Sequence, residues 1–227
     1  MAEQVTRDLR MRDAVAFLEA HKITPVQYVD YASLDQGHTG HCVGFGCSGL
    51  LASTPVPVAG VTNDSAHALY YKCKALDGEP GAEDGSTVRT GAKALQQAGR
   101  IGVYFFASSI NEAAAYVDEH GPIVLGIDWF DGMFTPDASG IITPGDTAAA
   151  GGHCILWYGI SVDSKYAVLR NSWGPSWGIK GDCKISIEDL NLIFSNNGEA
   201  LAATEVSPVP PKPKPPKKPC RLLAWLK

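Results

Sequence analysis

The stretch DQGHTGHCVGFGCSGLLAS, residues 35–53, changes character halfway along. Residues 35–41 are glycines, histidines and small polar residues, the composition of a tight turn. From Cys42 onward apolar residues recur at roughly helical spacing, interrupted by Gly44, Gly46 and Gly49. Each glycine inside a helix costs about 1 kcal/mol relative to alanine. A helix here must therefore be held by burial, with its glycines packed close against something. The thiol at its first position has a distinctive setting. The helix dipole and the free backbone N–H groups of a first turn favour a negative sulfur, and the thiolate is the nucleophilic form of cysteine.

Such a nucleophile needs an imidazole, which the fold must bring from elsewhere in the chain. His153 is the best placed. It follows Gly151 and Gly152 and opens the apolar run HCILWYGI (153–160), so its ring is expected at a strand edge facing a cleft. Asn171 ends a second apolar run, in YAVLRNSW (166–173). Its side chain can accept the His153 ring N–H and fix the tautomer. Gln36 stands six residues before Cys42. Its amide, with the Cys42 backbone N–H, can donate to the oxyanion of a tetrahedral intermediate.

Around these residues the pattern is helices first and strands second. A helix is expected over 8–21, then extended chain in ITPVQYVDYASL (23–34), where Pro25 resists helix. Asp64 or Ser65 would cap a helix through Leu76, Ser86 or Thr87 another through Ala98, and a third spans about 110–119. Beyond Gly121, the segments PIVLGIDW, HCILWYGI, YAVLRNSW and DCKISI read as short strands between turns. This is an α+β pattern suited to two lobes meeting at a cleft. The segment SPVPPKPKPPKKP (207–219) is an extended, solvated spacer, closed by the short apolar tag CRLLAWLK.

Composition narrows the function classes. The chain has 227 residues, 45% apolar, with a net charge of −5. Residues 207–227 hold six positive charges and no acids, so the other 206 residues carry 13 basic and 24 acidic groups, a net of −11. Such a body repels nucleic acid; only the tail is suited to attract a polyanion. No stretch approaches the ~18 apolar residues of a membrane span. The N-terminal residues show no apolar run or cleavage signal. The expectation is a cytoplasmic protein, or a virion-associated one, whose six cysteines are free thiols.

Three of these segments carry a resemblance. DQGHTGHCVGF resembles the nucleophile segment of papain-like cysteine peptidases, with its Gln, the six-residue step to Cys and an aromatic three beyond. GGHCILWYGI is similar to that family's histidine strand, and YAVLRNSWGPSWGIKGDCKI to its asparagine segment, including the NSWG…WG signature. The order Cys, His, Asn agrees, and the likeness runs loosely from about Pro25 to about Ile187. It implies a two-lobed papain-like α+β fold. Residues 1–22 would form a helical extension, 23–120 a helical lobe, 121–206 a β-rich lobe and 207–227 a Pro/Lys-rich tail. It implies Cys42 as nucleophile, His153 as general acid/base, Asn171 as its orienter and Gln36 as oxyanion donor. Trp173 would shield the His–Asn bond, with Gly151, Gly152 and His41 beside the substrate.

There are departures from the family pattern. Thr39 stands where the family usually has a cysteine, no partner loop follows, and His41 and Val43 flank the nucleophile. Only 35 residues precede Gln36. These suggest an intracellular bacterial or phage-type variant without a long inhibitory segment.

The expected reaction is peptide hydrolysis through an acyl-thioester, with a polypeptide substrate and no metal or organic cofactor. Transfer of the acyl group to an amine is the enzyme alternative. An inactive papain-like scaffold, anchored to a protein partner through 207–227, is the non-enzyme one. HTGHCVGFGC is dense in metal-ligating residues, but its spacing H-x2-H-C-x4-C matches no common zinc site, and His41 reads instead as a cleft-rim residue. Cys47 and Cys154 read as core, Trp177 and Gly178 as packing and turn residues.

Overall fold

The computed structural model describes residues 23–161 and 165–205. The expected helix over 8–21 and the tail 207–227 lie outside those residues. Five α-helices and seven strands are described: β1 Val26–Gln27, α1 Cys42–Ala52, α2 Asn63–Asp77, α3 Val88–Gln97, β2 Ile101–Phe106, α4 Ile110–Glu119, β3 Ile123–Phe130, β4 Ala149–Ile160, β5 Tyr166–Arg170, β6 Asp182–Ser186, α5 Ile187–Phe194 and β7 Glu199–Glu205. The strands form one antiparallel sheet in the order β2-β7-β3-β4-β5-β6, with β1 added to β4.

Strand β4 is apolar without alternation because both of its faces are buried. Ile155 and Trp157 point into a core shared with Leu125, Ile127, α4 and α5. Cys154, Leu156 and Tyr158 point into a second core with Cys47 and Leu50 of α1, Cys73 of α2 and Leu95 of α3. The sheet is thus covered on both sides. Cys183, on β6, belongs to the first core, so Cys73 and Cys183 are packing residues alongside Cys47 and Cys154.

The glycines of α1 account for its closeness to its neighbours. A Cβ on Gly44 would lie 2.4 Å from the Ala66 carbonyl oxygen of α2, and one on Gly46 would lie 2.8 Å from Cys154 Sγ of β4. Every residue of α1 after Cys42 is buried, so the helix has no solvent face.

Several boundaries differ from the sequence expectation. The cap of α2 is Thr62, not Asp64 or Ser65: Thr62 is extended, its hydroxyl accepts the Ser65 N–H, and Ser65 returns the bond to the Thr62 backbone. Thr87 caps α3 by accepting the Thr90 N–H. The run DCKISI splits, because Ser186 ends β6 and its hydroxyl caps α5 through the Asp189 N–H. Strands β2 and β7 and helix α5 were not anticipated. β2 lies between two helices in the sequence, and its partner β7 follows about a hundred residues later. Gly178 has φ +54, and a Cβ there would meet the Asp182 carbonyl oxygen at 2.2 Å, the backbone reason for glycine at that turn.

Candidate active site

Helix α1 begins at Cys42. Its N-cap residue, His41, makes no side-chain cap bond, so the first-turn N–H groups that a cap would occupy stay open. Cys42 lines a cleft of about 690 Å³ together with Gln36, Gly151, Gly152, His153 and Trp173. The start of α1 forms one side; the beginning of β4 and the segment after β5 form the other. A Cβ on Gly151 or Gly152 would find nothing within 4 Å, so this stretch of β4 is an open backbone surface.

The His153 ring is 7% exposed. Its Nε2 lies 2.9 Å from Asn171 Oδ1, and the Ser172 backbone N–H donates to the same oxygen at 2.8 Å. An N–H cannot donate to an amide NH2, so the convergence of two donors identifies that atom as the oxygen. His153 therefore carries its proton on Nε2 and keeps Nδ1 as the basic nitrogen. Two indoles flank the ring: Trp173 with centroids 4.9 Å apart and Trp129 at 4.7 Å. Phe134 stacks on Trp173, and Trp177 completes the aromatic wall, donating its indole N–H to the Phe134 carbonyl.

Gln36 is nearly buried and held from both ends. Its Oε1 accepts from the Ser172 hydroxyl at 2.7 Å, and its Nε2 donates to the Thr39 carbonyl at 2.6 Å. An amide has two N–H donors, which leaves one for a bound group.

Burial sets the electrostatics. It pushes the Cys42 thiol above its ordinary range, while the backbone N–H groups of Cys154, Val43 and Cys42 itself pull the other way. Desolvation likewise lowers His153 to about 4, opposed by its bond to Asn171. The helix N-terminus was expected to lower the thiol; the cost of taking its charge out of water is the larger effect.

The cleft is lined by every sequence-predicted residue except Asn171, which is buried behind His153 and bonded to it, and His41. The His41 ring is 1% exposed and lies behind the start of α1, stacked on Tyr70 of α2. The reason is chemical: His67 and Glu83 take both of its nitrogens, so it is not a rim residue. Sequence reading missed Ser172, Trp129 and Phe134. Ser172 sits in the motif already singled out, whereas the aromatics declare their place only once β3 is paired with β4. Among the described residues no group of three or more His, Cys, Asp or Glu is arranged to hold a metal ion, and no helix is long and apolar enough to cross a membrane.

The family model of papain family cysteine proteases matches residues 27–197, a span that includes Gln36, Cys42, His153 and Asn171. The chain belongs to that family. Cathepsin O of Mus musculus is 26% identical over 180 residues, 74% of this chain and 52% of its own length. Silicatein of Petrosia ficiformis is 34% identical over 82 residues, 35% of this chain and 23% of its own. The chain thus spans about half, or less, of the curated relatives it matches. Among solved structures, xylellain, a cysteine protease from Xylella fastidiosa, superposes with a TM-score of 0.61 at 17% identity, covering 81% of this chain and 87% of xylellain. The fold is therefore the papain-like α+β fold expected from the three sequence segments.

Proposed function

We propose that this papain-family chain is a cysteine peptidase that cleaves polypeptides through an acyl-thioester on Cys42. The observation that carries the reading is the double donation to Asn171 Oδ1, which leaves His153 Nδ1 basic beside the cleft that Cys42 lines. His153 Nδ1 takes the Cys42 thiol proton as sulfur bonds to the scissile carbonyl carbon. The oxyanion is met by the Cys42 backbone N–H and the Gln36 amide. On collapse the C–N bond breaks and His153 returns its proton to the leaving amine. Water, deprotonated by His153, then attacks the thioester, releasing the carboxylic acid and restoring the thiol.

Burial resists a lone charge on either group. Proton transfer instead creates opposite charges together, and their attraction offsets part of that cost. Trp173 keeps water from the His153–Asn171 bond. The turn before α1, its first residues and the connection 84–87 serve as one wall, and β3, β4 and Trp173 as the other, with Gly151 and Gly152 against substrate backbone. The unpaired thiols among the described residues support a reducing, cytoplasmic setting. The basic, proline-rich composition of 207–227 supports docking to a protein partner, which truncation at Ser207 would abolish.

The test is alkylation of Cys42 against pH, read by mass spectrometry beside the buried cysteines, together with peptide cleavage. Labelling that stays fast well below the ~8.5 of a free thiol, and is lost in His153→Ala, is expected. Labelling no faster than at Cys47, with no cleavage, would overturn the reading in favour of a scaffold. Incorporation of a labelled amine without net cleavage would turn it to acyl transfer.

A further inference from the structure

The displaced His41 carries an inference that rests on the reading of Cys42 as nucleophile. His41 Nδ1 lies 2.7 Å from Nδ1 of His67, on α2. His41 Nε2 faces one carboxylate oxygen of Glu83, and the other oxygen accepts the Tyr71 hydroxyl at 2.9 Å. Tyr70 stacks on the His41 ring at 3.7 Å. The titratable groups facing His41 are thus His67, Tyr70 and Tyr71 from α2, Glu83 from the following connection, and Cys42 next in the chain.

Two facing Nδ1 atoms at hydrogen-bond distance need one proton between them: one ring donates and the other accepts. The pair keeps that bond when neutral. It also keeps it with a single positive charge, since an imidazolium on either ring still donates to a neutral partner. A second positive charge sets two N–H groups head to head and breaks the bond. Glu83 pairs with the other nitrogen of His41; among the described residues no second carboxylate is paired with either ring.

The connection that holds Glu83 also builds the cleft. Asp84, Gly85, Ser86 and Thr87 line it. The Tyr70 hydroxyl donates to the Ala82 carbonyl and accepts the Gly85 N–H. The Glu83 carbonyl packs so tightly on Gly40 that a Cβ there would lie 2.6 Å away. We propose that His41 is a positioning residue: through His67 and Glu83 it latches the cleft wall 84–87 to the turn that ends at Cys42, by a one-proton bond between two imidazoles that opens in acid.

The latch is read by hydrogen exchange of the backbone amides of 82–87, corrected for intrinsic rates, alongside KM and kcat for peptide cleavage. In the unaltered protein exchange and KM rise together on acidification. His67→Phe, which keeps a ring but removes the nitrogen that meets His41, raises both about fivefold at neutral pH, the size expected for losing one hydrogen bond, and abolishes their acid dependence. Glu83→Gln, on the exposed side, does the same more weakly, with kcat within about twofold. His67→Asn, whose amide meets either form of the His41 nitrogen without titrating, restores protection and holds it through acid. Native-like thermal unfolding of Glu83→Gln with unchanged exchange and KM, and no acid dependence in the unaltered protein, would overturn the latch. If the unaltered protein cleaves no peptide, the peptidase reading fails while the exchange measurement still decides the latch.

Discussion

The Ser172 hydroxyl donates to Oε1 of Gln36 at 2.7 Å, across 136 residues of sequence. The bond joins the asparagine segment to the turn before α1, and the Ser172 backbone carbonyl accepts the Gln36 N–H at 2.8 Å. With its oxygen occupied, the Gln36 amide can only turn its nitrogen toward the Thr39 carbonyl and the cleft. Ser172→Ala therefore lets the amide flip. We expect kcat to fall about fivefold with KM little changed, the worth of one neutral hydrogen bond of about 1 kcal/mol. Gln36→Ala, which deletes the donor itself, is expected to cost about 10²–10³ in kcat. Steady-state kinetics of both variants checks the order.

Asn171 holds the His153 tautomer through a neutral oxygen. Asn171→Asp keeps an acceptor at that place and adds a negative charge, which favours the imidazolium. The sign follows: the acid limb of kcat/KM, set by His153 at about 4, moves upward, and Asn171→Ala lowers kcat without that upward move. The pH–rate profiles of the two variants separate charge from orientation. A limb that stays in place in Asn171→Asp would mean that another group sets it.

Much of this site was legible in the sequence because its chemistry is local. Cys42 follows a turn and starts a helix, and Asn171 directly follows β5, each readable from a short window. His153 lies inside β4, which begins at Ala149 and not at the apolar run, because Gly151 and Gly152 already pair with β3. His41 was misplaced because its partners, His67 and Glu83, are 26 and 42 residues away, and no window holds all three. The edge strand β2 was missed for the same reason: its partner β7 lies about a hundred residues on. The Thr62 cap was missed because Asn63, Asp64 and Ser65 are all capable capping residues, and only the extended backbone at Thr62 selects among them.

The packing of α1 predicts which of its glycines cannot be changed. A Cβ on Gly44 would meet the backbone carbonyl of Ala66 at 2.4 Å and Tyr70 N and Cβ at 2.8 Å. None of these is the end of a flexible side chain, so α1 and α2 must separate. Gly44→Ala is expected to destabilise by about 3 kcal/mol, the upper part of the overpacking range. Gly49→Ala, whose Cβ would meet only the Leu156 side chain, Cδ2 at 3.4 Å and Cβ at 3.8 Å, should be tolerated and gain helix propensity. Urea denaturation midpoints of the two variants check the contrast.

Burial of His153 also links stability to pH. Its folded-state value of about 4 lies below the ~6.5 of an unfolded histidine. Between those values the unfolded chain binds a proton that the folded one does not, so stability rises with pH across this window and falls as the medium is acidified. The contribution is on the order of 3 kcal/mol lost between neutral pH and pH 4, from the 1.36 kcal/mol that each unit represents. Other acids titrate nearby. Asp30 and Asp182 are raised by burial, and a raised carboxyl works in the opposite sense, its stabilisation being lost as pH rises through the folded value. The test is therefore a difference. Unfolding free energies of the unaltered protein and His153→Gln, measured from pH 7 to 4, should differ in slope, the unaltered protein losing about 3 kcal/mol more as pH falls, because the variant has no buried imidazole to protonate on unfolding. Parallel curves would mean that His153 is already charged in the folded protein, with its partner Cys42 as thiolate throughout.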